Sequence, residues 1–243
     1  QMEDAVAEAL ANAPVQPTLT YLVDRIALGD RSTPYSFVVA APSCDAPEDA
    51  ACVSPWLAEA LGAKPGDRIE LAWSAPGPDN TYETRRGSLT VHAVLPEPAL
   101  ALERALAPRF PGLTDVDTCR DWDIGMPLDE EALNDPANEE YWKTFGQTPK
   151  LVVSYETGKR LWGSRFGALT ALRLKPAKLN EESVRWMLQT ELDPAKIGLA
   201  FQPVRETAMR AVDKALDFGG LFTGMRFFLV VSALVLLGVV FAH

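Results

Sequence analysis

The longest apolar run of the chain lies at its C-terminal end. Residues 227–242 are apolar apart from one serine and one glycine, and counting back to residue 218 adds a single charge, Arg226. A helix that crosses a bilayer needs about 20 apolar residues, whereas a helix on the surface of a soluble domain keeps a polar face. The pattern predicts the start of a transmembrane helix over 217–243, truncated within or at the end of a span. The alternative is a fully buried helix of a soluble protein.

Alternating apolar and polar positions predict strands in the N-terminal half. The segment 18–28 is of this kind, and 68–73 and 89–95 share the period-two pattern, so these two are expected to pair as antiparallel strands. Residues 35–41 form a continuous apolar run of strand length, which fits a central strand. The stretch 41–53 is rich in proline and acidic residues and is predicted to be a linker.

Capping signals predict the helices. Ser54, which precedes a proline, begins a helix that ends at Gly62, and Ser154 begins another that ends at Gly163. Asn180 caps a third helix, with Leu179 and Val184 at the spacing of a hydrophobic staple.

A further helix begins near Pro203 and leads toward the apolar run. One face of it is apolar and comprises Val204, Ala208, Val212 and Ala215. We expect this face to pack on a strand over 197–201. Because a helix is stiffer than a flexible linker, we interpret it as the coupling helix between the domain and the span. The alternative is a passive tether.

The segment 96–149 is irregular, with helical pieces predicted at 98–107 and 137–145 and a long loop between them. An aromatic-rich zone stands out in this polar sequence and comprises Trp122, Tyr141, Trp142 and Phe145. Two interpretations stay open: the rings pack in a core, or they form a candidate partner surface, since such rings supply much of the energy of interfaces.

The charge balance narrows the function classes. The 243 residues carry a net charge of −10, which argues against nucleic-acid binding, because phosphates require a basic patch. The acidity also fits an extracytoplasmic domain better than a positively charged cytoplasmic loop. The first residues lack the basic and apolar regions of a signal peptide. We therefore expect a preceding membrane helix to deliver the domain.

Three cysteines occur. Cys44 and Cys52 bracket a short loop that an oxidising compartment would allow to be closed by a disulfide, and Cys119 is the third. The alternative is three unpaired thiols.

No motif points to catalysis, a cofactor or a metal. His92 stands on a predicted strand with no nucleophile tied to it, and Gly158-Lys159 lacks the earlier glycine of a phosphate-binding loop. The acidic run Asp115, Asp117, Asp121 and Asp123 fails the spacing of a calcium-binding loop, because position five counted from Asp115 is a cysteine. We expect a chain that is not an enzyme; a hydrolase that uses this acidic run is the third-ranked hypothesis.

Several segments together resemble the extracytoplasmic (periplasmic core) domain of MacB/FtsX-type ABC transporter permeases. They are Leu-Gly at 61–62 with Lys-Pro-Gly-Asp-Arg-Ile at 64–69, Ser-Leu-Thr-Val-His-Ala-Val at 88–94, and the segments 149–162, 168–174 and 217–226. The long segment 96–149 departs from the family pattern.

The resemblance implies an α+β architecture. A porter-like βαβ subdomain would comprise 1–41 and 168–216, with a mostly-β subdomain inserted over 42–167 and the transmembrane helix from 217. It also implies a non-enzymatic domain on the periplasmic side of the cell (inner) membrane. Its partners would be a cytoplasmic ABC ATPase, a second permease copy and an unidentified substrate or periplasmic protein. The alternative is a membrane-anchored sensory or adaptor domain without transport.

Overall fold

The chain is a mixed α+β protein that ends in an apolar helix, as the sequence predicts. The computed structural model describes residues 4–78, 81–105, 107–125, 128–174, 180–199, 202–215 and 218–242. The chain divides into two compact units, Gln1–Ile197 and Gly198–His243.

The first unit is built on a closed β-barrel. The strands are β1 (Val15–Leu28), β2 (Arg31–Ala40), β3 (Ala50–Val53), β4 (Arg68–Pro76), β5 (Tyr82–Val94), β6 (Leu151–Val153) and β7 (Ala171–Leu174). The first six are hydrogen-bonded in the order β1-β2-β6-β3-β5-β4, and β4 pairs back with β1 to close the ring. The start of β1 extends beyond the ring and pairs with β7.

The described residues also form helices. They are α1 (Asp4–Ala9), α2 (Pro55–Leu61), α3 (Glu97–Arg104), α4 (Glu130–Leu133), α5 (Pro136–Phe145), α6 (Tyr155–Trp162), α7 (Glu181–Glu191), α8 (Val204–Ala215) and α9 (Phe218–Phe241). The predicted helical pieces of the segment 96–149 are therefore present as α3 and α5, with the short α4 between them.

Two neighbouring strands of the barrel are each followed by the same arrangement of a serine and a short helix. β3 and β6 pair antiparallel, and each leads into a helix with a serine cap. The Ser54 hydroxyl accepts a hydrogen bond from the Leu57 amide at 3.0 Å, and the Ser154 hydroxyl accepts one from the Thr157 amide at 3.3 Å. The caps at both helices confirm the predicted starts. The repeat itself is not evident from the sequence, because the two segments share little beyond Val-Ser and a closing glycine.

The barrel interior is apolar. Its core contains Leu19, Val23, Ile26, Val38, Val53, Leu57, Ile69, Leu71, Trp73, Leu89, Val91, Leu151, Val153 and Trp162. The predicted pairing of β4 with β5 is confirmed, with Ile69 opposite Leu89 and Trp73 opposite Arg85. Between α2 and β4, the Asp67 amide donates to the Lys64 carbonyl at 3.0 Å, and Gly66 takes a positive φ of 98°, which is the conformation that favours glycine in a type II turn.

Two predictions made from local sequence are wrong. The segment 41–53 is not merely a linker: Ala50–Val53 is β3, fully buried between β5 and β6. The strand expected over 197–201 is absent from the described residues, where Ile197 ends a 3-10 helix and Gly198 takes a positive φ of 81°. Residues 200 and 201 lie outside the described residues, as does Leu179 of the expected staple.

Both expected subdomains, 1–41 with 168–216 and 42–167, contribute to the barrel of the first unit. β1 and β2 pair with β4 and β6, so both proposed pieces contribute strands to a single barrel. The reason is that barrel closure joins strands that are far apart in sequence, which local patterns do not encode.

Candidate functional site

The C-terminal helix α9 is a candidate membrane anchor. The span Gly219–Phe241 has 23 residues with a mean hydropathy of 2.3, and none of its most apolar window is buried by protein. At 1.5 Å per residue it extends about 35 Å, which exceeds the roughly 30 Å of a bilayer's hydrocarbon core. It is the one helix among the described residues with this length and composition.

The polar side chains of α9 are compatible with lipid. The hydroxyls of Thr223 and Ser232 donate to the carbonyls of Gly219 and Phe228 at 2.7 and 2.8 Å, so neither group needs water. Arg226 stands two turns from the start of the helix, where its long side chain is able to reach the interface.

The helix predicted from Pro203 onward is present as α8, and its coupling role stays a prediction. Val204, Ala208 and Val212 are all exposed on it, and the side chain of Ala215 lies outside the described residues. Glu206 and Arg210 form an i,i+4 ion pair at 3.5 Å, although an exposed pair of this kind contributes little stability. An exposed apolar face on a short helix has to be covered to be stable in water.

The aromatic-rich zone packs inside the first unit. Trp122 and Tyr141 are buried, with 6 and 5% exposed, while Trp142 and Phe145 are partly buried. The Trp122 ring contacts the Trp142 ring edge to face at 5.0 Å, and the Tyr141 ring lies 4.9 Å from that of Phe145. These rings hold the segment 96–149 against the barrel, so here they act as a core rather than as an exposed surface.

A buried lysine lies beside this core. The Lys150 ammonium, in a residue that is 1% exposed, donates to the Thr33 hydroxyl at 2.9 Å and to the Asn138 side-chain oxygen at 2.6 Å. It also lies 4.4 Å from the centre of the Trp56 ring and 4.7 Å from that of Tyr141, which is cation–π geometry.

The surroundings of Lys150 shift several pKa values. Burial lowers the pKa of Lys150 to about 7, and the nearby Cys119 and Asp135 only partly oppose this. Burial raises the pKa of the Cys119 thiol to about 12, so the thiol is protonated and inert as a nucleophile. Sequence inspection missed Lys150; the available signal was a lysine directly before the apolar strand Leu151–Val153.

The first two cysteines form a disulfide. Cys44 and Cys52 are bonded, with their Cα atoms 5.9 Å apart, and Cys119 is free and buried. The bridge ties β3 to the loop that follows β2, inside a second apolar cluster with Val39 and Val152.

The side chains of the acidic run accept hydrogen bonds from the loop in which they lie. The Asp115 carboxylate accepts from the Gly112 amide at 2.6 Å, and the Asp121 carboxylate accepts from the Thr118 hydroxyl at 2.8 Å. Within the described part of the chain, no group of three His, Cys, Asp or Glu side chains is arranged to hold a metal ion. His92 is exposed on β5.

Neither a protein-family model nor a curated protein matches this chain.

Proposed function

We propose that this chain is the extracytoplasmic domain of an ABC transporter permease of the MacB/FtsX type, together with the membrane helix that follows it. The proposal rests on the order of the structural elements along the chain. An acidic, disulfide-bonded α+β domain is followed by the amphipathic helix α8 and then by α9, whose 24 residues have the length of a membrane span. The segments that resemble the family, including 61–69 and 88–94, fall in α2, β4 and β5 around one barrel.

In this proposal the domain performs no chemistry. It binds a substrate or periplasmic partner, works beside a second permease copy, and is moved by a separate cytoplasmic ATPase. α8 transmits the movement, because a helix carries a displacement along its axis. The porter-like subdomain of the family would correspond to β1, β2, β7 and the helices α7 and α8.

Two features favour the periplasmic side of the cell (inner) membrane. A buried disulfide is typical of oxidising compartments, and the net charge of −10 is unlike that of positively charged cytoplasmic loops.

The proposal is tested in native membranes. The protein, purified in mild detergent from cells that express it at its natural level, should carry with it an ATPase with a phosphate-binding loop, identified by mass spectrometry. Glu59→Cys, at an exposed position of α2, should react with a membrane-impermeant maleimide in cells whose inner membrane is intact.

A membrane-anchored adaptor or sensory domain is the second candidate, and the cavity in the mouth of the barrel, described below, favours it. An adaptor would show the same labelling of Glu59→Cys but no associated ATPase. Labelling only after the inner membrane is broken would contradict both functions as stated.

A further inference from the structure

One mouth of the barrel contains a cavity of ≈380 Å³, a volume typical of small-ligand sites. It lies between the tip of the β4–β5 hairpin and the end of α6. The lining includes Tyr21, Trp73, Glu83, Arg85, Trp162 and Arg165.

Strand register explains why these residues meet. Along β4, Leu71, Trp73 and Ala75 face inward, and they lie opposite Gly87, Arg85 and Glu83 of β5. A Cβ at Gly87 would lie 3.2 Å from two atoms of the Trp73 ring, so this glycine makes room for the indole. Arg85 and Glu83 therefore extend over the mouth on the same side as the core, although both are exposed.

The floor of the cavity is aromatic. The rings of Tyr21 and Trp162 are stacked, with centres 6.0 Å apart and planes 13° from parallel. The Tyr21 hydroxyl is already used, since it donates to the Ser74 carbonyl at 2.7 Å. Because Trp162 is only 2% exposed and Tyr21 is partly buried, the apolar surface that the floor offers to a ligand is mainly that of Tyr21.

One polar group in this lining is unsatisfied. Trp73 is 3% exposed, and its indole N–H has no acceptor among the described residues. A buried donor without a partner costs free energy, and because less than 1 Å² of this nitrogen is exposed, Trp73 forms part of the cavity wall rather than a donor to a ligand.

The charges at the mouth favour an anion. Arg85, Arg165 and Glu83 line the cavity; Arg165 already interacts with other groups, including the Phe166 ring, so Arg85 is the cation that a ligand would meet. Within the described part of the chain, the Arg85 guanidinium makes no ion pair, and neither does Glu83. Glu83 instead lies at the rim, where its carboxylate would be 3.1 Å from a Cβ built on Gly77.

We propose that the barrel mouth binds a small amphipathic carboxylate. Its flat apolar part packs on the Tyr21 ring, which is stacked on Trp162, and its carboxylate accepts from the Arg85 guanidinium. Arg85 is the direct cross-strand partner of Trp73, which places its guanidinium over the aromatic part of the cavity. The inference stands independently of the permease role, because the residues that line the cavity all belong to the first unit.

The probe is 2-naphthoate, titrated calorimetrically into the 243-residue chain in nanodiscs, with empty nanodiscs as the baseline. We expect saturable binding of one naphthoate per chain. The neutral 2-naphthalenemethanol and the cationic 2-naphthylmethylamine, which have the same ring system, should bind at least tenfold more weakly. Equal affinity for all three, or no saturable binding of 2-naphthoate, would overturn the proposal.

Neighbouring arginines supply a matched control. Arg85→Gln should weaken 2-naphthoate binding at least tenfold, whereas Arg86→Gln should leave it unchanged, because Arg86 lies opposite Ala72 on the other face of the hairpin. Unchanged affinity in Arg85→Gln would assign the site elsewhere and overturn the proposal.

Discussion

Gly158 of α6 lies directly against Ala40 of β2. A Cβ built on Gly158 would overlap the Cβ of Ala40 and would lie 3.3 Å from the Trp162 ring. Because Gly158 has no side chain, α6 can approach β2 of the barrel closely, so this glycine is explained by packing.

This contact predicts that exchanging the sizes of the two residues restores part of the stability lost by enlarging Gly158. Gly158→Ala should lower the free energy of unfolding by about 1–3 kcal/mol, because it overpacks a rigid contact. The double variant Gly158→Ala/Ala40→Gly moves the methyl group to the other side and should recover part of the loss. Urea unfolding of the four proteins forms a double-mutant cycle. Strictly additive losses would show that the two residues do not share this contact.

Lys150 predicts a pH dependence of stability. Its pKa falls from 10.5 in the unfolded chain to about 7 in the fold, so between these values the unfolded state binds more protons. Rising pH therefore increases the free energy of unfolding in this window, by at most about 1.4 kcal/mol per pH unit. Lys150→Met removes the titrating group.

The comparison of wild type with Lys150→Met is best made between about pH 7 and pH 8.5. Above that range the buried thiol of Cys119 begins to act in the opposite sense, since its raised pKa favours the protonated fold. We expect the free energy of urea unfolding of wild type to increase with pH relative to that of Lys150→Met. Parallel pH profiles would mean that Lys150 titrates normally.

The disulfide predicts sensitivity to reductant. The bridge closes a loop with a sequence separation of 8, for which chain entropy gives a stabilisation of roughly 2–3 kcal/mol. Reducing agent should lower the urea midpoint of wild type accordingly. Cys44→Ala/Cys52→Ala should be insensitive to it, and Cys119→Ala should respond like wild type. Mass spectrometry of unreduced protein that finds both thiols alkylated would contradict the bridge.

The apolar helix α9 predicts membrane integration. The full chain should remain in the membrane fraction after extraction at alkaline pH. Two charges at mid-span, in Val231→Asp/Ala233→Arg, should release it, because each charged residue costs about 2.5–3.5 kcal/mol at the centre of a spanning helix. Arg226→Gln, near the start of the helix, is the control and should stay inserted. Release of the wild-type chain by alkali would contradict the anchor.

Local signals account for much of the fold. The β4–β5 hairpin follows from the alternation of Ile69 and Leu71 with polar neighbours, and α2 and α6 follow from Ser54 and Ser154, because these features are encoded within a few residues. β3 could not be found this way. Its four residues stand between a proline-rich, acidic loop and a helix, and only pairing with β5 and β6 makes them a strand.

The candidate sites depend more than these elements do on contacts between residues that are far apart in the sequence. Lys150 contacts Thr33 and Asn138 only because β6 and α5 pack against β2, and no spacing in the sequence predicts these contacts. The barrel mouth likewise requires Tyr21, Trp73 and Trp162 to converge from three elements. By contrast, the membrane helix is visible in the sequence because its signal is the composition of one continuous run.

The central claim is that α8 couples the barrel unit to an ATP-driven membrane part. A seven-residue insert after Asp213 tests it in two forms, one flexible (Gly-Ser-Gly-Ser-Gly-Ser-Gly) and one helical (Glu-Ala-Ala-Ala-Lys-Ala-Ala). The helical insert adds about two turns and so keeps both stiffness and phase. Both variants should fold and retain the ATPase.

The decisive measurement is hydrogen–deuterium exchange of the barrel unit in the assembled transporter, with ATP and with ADP. We expect a nucleotide-dependent difference in wild type and with the helical insert, and none with the flexible insert. A difference that persists unchanged with the flexible insert, or that is missing from wild type, would show that no movement passes through α8.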